Sequence, residues 1–185
     1  MPSALQLNAA VRALADGGVI ACPTEAVWGL SCDPDNPHAV ARLLEIKERP
    51  VEKGLILIAA NLQQVGALLG ALTEAQRQKL ALSWPGPTTW LIPHHGLVPA
   101  WVHGGRDTVA VRVTAHPGMV ALCSAWGGAL VSTSANPGGS RPALSLFQVH
   151  RYFRGQLDGI LPGPLGGASR PSVIRDLQTD RVLRS

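Results

Sequence analysis

Five consecutive apolar residues, Leu55-Ile56-Leu57-Ile58-Ala59, do most to constrain how this chain can fold. A run of that length with no polar alternation reads as a buried strand. The segments around it switch between helical and extended periods. Leu7, Ala10, Val11, Leu14 and Ala15 recur at helical spacing, and Gly17-Gly18 stops them. Val19-Ile20-Ala21-Cys22 follows as a short buried strand. Asn36-Pro37 places an N-cap and a first-turn proline ahead of the apolar face Val40, Leu43, Leu44 and Ile46. Pro50 disfavours helix at Arg49, so that helix should end near 47–49. Further helices are expected over 61–70, 74–82, 117–126 and 145–154, with Thr73 and Gln76 forming a capping box for the second. Strands are expected over 90–92, 108–113 and 130–131, with short ones around 158–161, 172–176 and 181–184. Residues 93–106 read as a long loop, and the Pro/Gly-rich stretch 162–171 reads as a mobile one.

Helices and strands are mixed throughout, which predicts an α/β or α+β fold around one twisted sheet. At 185 residues a single domain spanning 1–185 is expected, large enough to bury a core without disulfides or a structural metal. Cys22, Cys32 and Cys123 are widely spaced and odd in number, which argues against a zinc site or a disulfide framework and for reduced thiols. No signal-peptide pattern opens the chain, and no stretch of about 18 apolar residues is present to span a membrane. The expected location is therefore cytoplasmic. A net charge of +4 fits an anionic partner such as a nucleotide or RNA without choosing between them.

The charge is unevenly spread. Only three lysines accompany thirteen arginines, yet Lys47 and Lys53 bracket Arg49 within seven positions. Far along the chain, Ser132-Thr133-Ser134-Ala135-Asn136 supplies hydroxyls and an amide after the apolar Ala129-Leu130-Val131. Cations facing hydroxyl and amide groups suit a polyanion such as a triphosphate. No Walker A, GxGxxG, HExxH or GxSxG pattern occurs, so a nucleotide would be held by another route. His94-His95 is adjacent and poorly spaced for a metal. No obvious general base stands out, which favours catalysis by positioning and charge neutralisation. Thr24, just after a strand, can bind a ligand or close a turn on its own backbone. Arg112 lies within an apolar strand and needs either a ligand anion or a buried acid. Ser134 and Asn136 can equally cap the next turn, Trp28 reads more readily as core than as pocket wall, and Ser172 opens a strand.

Taken together, these segments resemble the YrdC/TsaC family of threonylcarbamoyl-AMP synthases over residues 7–184. The resemblance rests on a KxR motif, Lys47-Glu48-Arg49, paired with a distant SxN motif, Ser134-Ala135-Asn136. PTEAVWGL at 23–30, KGLILIA at 53–59, WPGPTT at 84–89, TVAVRV at 108–113 and PSVIRD at 171–176 follow in order. Trp28, Pro137-Gly138-Gly139 and Arg175 depart from the residues usual at those places. The resemblance implies a twisted, mixed, largely antiparallel sheet flanked by helices, with an open basic concave site. It implies condensation of L-threonine, bicarbonate and ATP to threonylcarbamoyl-AMP and pyrophosphate, for modification of tRNA beside the anticodon by a separate transferase complex. It assigns catalysis to Lys47 and Arg49, and ATP binding to Arg49, Lys53, Thr108, Ser134 and Asn136. Threonine falls to Thr24, Arg112, Ser134 and Ser172. Mg²⁺ would arrive with ATP and not on protein ligands. Alanine at Lys47 or Arg49 is expected to abolish adenylate formation with the fold intact. An RNA-binding or rRNA-maturation module of the same fold is the alternative, and the net charge permits weak RNA binding.

Overall fold

The structure, a computed structural model, describes residues 1–184. Among them are the helices α1 (Ala4–Ala15), α2 (Pro37–Ile46), α3 (Gly66–Leu69), α4 (Glu74–Ala81), α5 (Ala100–His103), α6 (Pro117–Trp126) and α7 (Leu146–Phe153). The strands are β1 (Ile20–Pro23), β2 (Trp28–Ser31), β3 (Ile56–Ala59), β4 (Thr88–Pro93), β5 (Thr108–Val113), β6 (Leu130–Ser134), β7 (Gly159–Ile160), β8 (Val173–Asp176) and β9 (Val182–Arg184). They form one sheet in the order β7-β1-β2-β6-β3-β5-β4-β8-β9. Antiparallel pairs outnumber the parallel pairs β1–β7, β3–β5 and β4–β8, as the expected mixed sheet requires.

Capping residues start the helices where the sequence places them. Ser3 with Gln6, and Thr73 with Gln76, close capping boxes on α1 and α4. Asn36 accepts from the amides of His38 and Ala39 ahead of Pro37. The buried run 56–59 lies at the centre, paired on one side with β6 and on the other with β5. Its alternate residues enter different cores. Leu57 and Ala59 join Val40, Leu43 and Phe153 on one face, while Ile58 joins Leu14, Met119 and Leu122 on the other. Double coverage is why no polar residue interrupts the run.

Several expectations needed correction. Trp28–Ser31 is a strand paired on both sides, by β1 and β6. It is buried throughout, so it lacks the alternation that marks a half-exposed strand. Gly29 fits because a Cβ there would come within 3.2 Å of the Thr133 carbonyl. The helix expected over 61–70 is reduced to a 3-10 turn, Gln63–Val65, and the short α3. There Asn61 and Gln64 spend their side chains on backbone amides, drawing the chain out of regular helix. The loop expected over 93–106 contains α5. The stretch 162–171 is fastened beside Thr24 and Glu25: the amides of Gly166 and Ala168 bond their carbonyls, and His116 Nε2 meets the Pro164 carbonyl. All three cysteines are free and buried. No helix of the described residues is long and apolar enough to cross a membrane.

Candidate active site

The KxR segment is a helix-terminating turn that sends its two cations in different directions. At the end of α2, the Arg49 amide bonds the Leu44 carbonyl and the Glu48 amide bonds the Glu45 carbonyl, both at 2.9 Å. This is a Schellman arrangement. The left-handed position that usually belongs to glycine is held by Glu48, at φ 51°. Lys47 turns inward and is 3% exposed. Its ammonium donates to the Asn136 carbonyl at 2.8 Å and to the Ser134 carbonyl. Arg49 instead reaches the cleft wall, with Nη2 donating to the Gly54 carbonyl at 2.9 Å and Nε buried without a partner.

The cleft has a volume of about 260 Å³ and lies on the sheet face that α1 and α6 cover in part. Strand register sorts its lining into two ends. On β5 the alternate residues Thr108, Ala110 and Arg112 line the cleft. Thr108 and Arg112 are four residues apart, about 13 Å along a strand. Ile56 pairs with Ala110 and with Ser132, and Ile58 pairs with Arg112. Two residues back from Ile56 is Gly54, which places Lys53 and Arg49 at the Thr108 end. Two residues on from Ser132 is Ser134, at the same end. Ser172 lies at the other end, because its hydroxyl meets Thr89 Oγ1 at 2.9 Å and β4 runs antiparallel to β5.

At the second end Arg112 is 6% exposed and faces Glu25, with Nη2 to Oε2 at 3.4 Å. Both alternatives raised for Arg112 are therefore visible, since it has a buried acid and also lines a cleft. The pair is long for a charge-assisted bond, and Arg112 Nε and Glu25 Oε2 have no hydrogen-bond partner. Thr114 Oγ1 donates to Glu25 Oε1 at 2.6 Å. Thr24 lines the cleft while its hydroxyl donates to the Val27 carbonyl at 2.8 Å, which is the local turn. Arg184 Nη2 donates to the Ser172 hydroxyl at 3.0 Å and to its carbonyl at 2.7 Å.

The cleft cations press on one another. Burial, then the like charge of Arg106, pushes the Arg49 guanidinium below its usual value. Burial, then Arg112 and Arg49, does the same to Arg184. For Arg112 burial lowers the value and Glu25 partly offsets it. An anion entering here relieves both strains at once.

Of the residues picked out from sequence, Thr24, Arg49, Lys53, Thr108, Arg112, Ser134 and Ser172 all line this cleft. Lys47 and Asn136 do not. The Asn136 amide is occupied by the turn it closes, Nδ2 donating to the carbonyls of Pro137 and Ser140, while Oδ1 accepts from the Ser134 hydroxyl at 2.6 Å. Its capping reading is thus the one realised. Lys47 is a strut beneath that turn, and the expectation that alanine there leaves the fold intact does not suit so buried a cation. Trp28 is core, 4% exposed. Ser132, from the hydroxyl-amide segment, lines the cleft as well, and so do Glu25, His103, Arg106 and Arg184, which the sequence does not single out. Arg106 and Arg184 lie in segments without apolar periodicity, and only their charge could have marked them.

The Sua5/yciO/yrdC family model, described as telomere recombination, matches residues 12–185. The chain belongs to this family. A curated family relative from Cellvibrio japonicus (strain Ueda107), named threonylcarbamoyl-AMP synthase, is 54% identical over 179 residues, covering 97% of this chain and 95% of its own. Among solved family structures, P. abyssi Sua5 complexed with L-threonine superposes with a TM-score of 0.86 at 31% identity. That match covers 95% of this chain, which spans 52% of the P. abyssi protein. E. coli YciO matches with a TM-score of 0.88 at 25% identity, over 100% of this chain and 91% of its own.

Proposed function

We propose that this protein is an L-threonylcarbamoyladenylate synthase. The observation that carries the reading is the two-ended cleft, with cations and hydroxyls at one end and a buried arginine clamp about 13 Å away along β5. The relatives' shared name agrees with it. In this reaction the threonine nitrogen and bicarbonate give a carbamate and water. A carbamate oxygen then attacks the α-phosphorus of ATP, and pyrophosphate departs.

Arg112 takes the threonine carboxylate through its forked donors, with Ser172 and Thr24 beside it. Arg49 and Lys53 face the phosphates and neutralise charge that grows on the leaving pyrophosphate. Thr108 offers a hydroxyl at the same end, and Asn136 acts there by accepting the Ser134 hydroxyl proton, which leaves the Ser134 oxygen to accept from a donor group of the ligand. Lys47 contributes by holding the carbonyls of Ser134 and Asn136, which keeps that loop against the cleft. Glu25 is the one acid among the cleft-lining residues described, and it sits at the carboxylate end. The phosphate end thus offers no carboxylate to Mg²⁺, which suits an ion carried by the nucleotide's own oxygens.

The product would serve a tRNA threonylcarbamoyl transferase complex in the cytoplasm. Pyrophosphate release is the test, measured with ATP, threonine and bicarbonate, each omitted in turn. Release should require all three. Release without threonine overturns the substrate, and no release alongside salt-dependent RNA binding overturns the enzyme reading.

A further inference from the structure

Arg106 lines the cleft, is exposed, and pairs with no carboxylate among the described residues. Its backbone, by contrast, is held closely. His94 and His103 stack with ring centroids 4.0 Å apart and planes 19° apart. His94 Nδ1 accepts from the Gly96 amide at 3.1 Å, so its proton is on Nε2, which donates to the Arg106 carbonyl at 2.8 Å. His103 Nδ1 likewise accepts from the Gly105 amide at 3.1 Å. Each ring is thus pinned through its Nδ1 to a backbone amide of its own loop, face to face with the other.

The same loop interlocks with the segment that carries Lys53. The Leu55 amide bonds the Val102 carbonyl at 2.8 Å. Gly104 has φ 65°, and a Cβ there would sit 2.5 Å from the Val51 carbonyl oxygen. The Arg106 charge registers at Arg49. Arg106 precedes Thr108 by two residues, so it lies beyond Thr108 on the side away from Arg112.

We propose that Arg106 is a further nucleotide-binding residue that holds the terminal phosphates of ATP, and that the His94–His103 stack positions it. The reasoning rests on the ATP reading above. An α-phosphate close enough to react with carbamoylated threonine leaves the β- and γ-phosphates pointing toward the Thr108 end. A third mobile cation beyond Arg49 and Lys53 meets the charge that leaves with pyrophosphate. The stack matters because Gly104 and Gly105, both at positive φ, would otherwise let the loop move.

The experiment combines nucleotide titration with steady-state pyrophosphate release. Arg106→Ala should weaken ATP and inorganic tripolyphosphate about tenfold, the size of one lost charge-assisted contact. AMP binding and KM for threonine should stay within about twofold. His94→Ala should raise KM for ATP in the same direction with little change in kcat. His94→Gln, whose amide can replace the Nε2 donor, should recover most of the loss. Unchanged ATP binding in Arg106→Ala overturns the assignment, as does equal weakening of AMP and ATP. Full ATP affinity in His94→Ala overturns the positioning role. Failure of the unsubstituted protein to bind ATP overturns the synthase reading and this inference together.

Discussion

Lys47 Nζ donates to the Asn136 carbonyl at 2.8 Å, joining positions 89 residues apart. The two halves of the sequence signature are thus bonded to each other before any ligand arrives. Arg49 then projects into the cleft from the far side of the same turn, so the segment both builds the site and furnishes one of its charges.

Replacing Lys47 by Met should cost stability first. Two carbonyls lose their donor, a loss of about 2–4 kcal/mol. Urea unfolding should show the lower midpoint. Activity should fall with Ser134 and Asn136 displaced, and Lys47→Arg should not restore it, because a planar guanidinium fork does not place its donors where a compact ammonium does.

The same lysine predicts a pH effect. Burial, then the like charge of Arg49, pushes Lys47 down to about 8 from its ordinary 10.5. Between those values the unfolded chain binds more protons than the folded one, so stability rises with pH. The rise is about 3 kcal/mol at most. Lys47→Met should lack it in unfolding measurements at pH 8 and pH 10. A neutral amine retains two N–H donors, so both carbonyl bonds survive deprotonation.

Glu48→Gly should be neutral or stabilising, by up to about 1 kcal/mol, since glycine meets no Cβ penalty in a left-handed turn. A thermal melt measures it. A large loss would mean that the Glu48 side chain has a role the turn geometry does not reveal.

Arg112→Gln should raise KM for threonine by about a hundredfold, the size of a lost bidentate charge contact. It should also lower stability by about 3 kcal/mol, because Glu25 is left buried without its cation. The double variant with Glu25→Gln should recover stability and not threonine binding. If threonine kinetics recover too, Arg112 serves Glu25 alone.

Much of this was legible in the sequence, for identifiable reasons. The strand 108–113 and the helix 117–126 occur at the expected bounds because alternation marks the first and a proline start with a glycine stop marks the second. The strand 28–31 escaped because burial on both faces removes periodicity. The direction in which Lys47 points was not readable, since it depends on a left-handed turn at a glutamate. Arg106 and Arg184 were invisible as site residues because charge on a loop or an edge strand resembles ordinary solvated charge until pairing sets it beside a cleft.

The parallel pairing of β3 with β5 has one more consequence. Four peptide units separate Thr108 from Arg112, and that interval cannot stretch without breaking the ladder. The strand therefore works as a ruler. Inserting one residue between the two would turn Arg112 to the opposite face, while any ligand spanning the cleft must match a length set by the backbone and not by adjustable side chains.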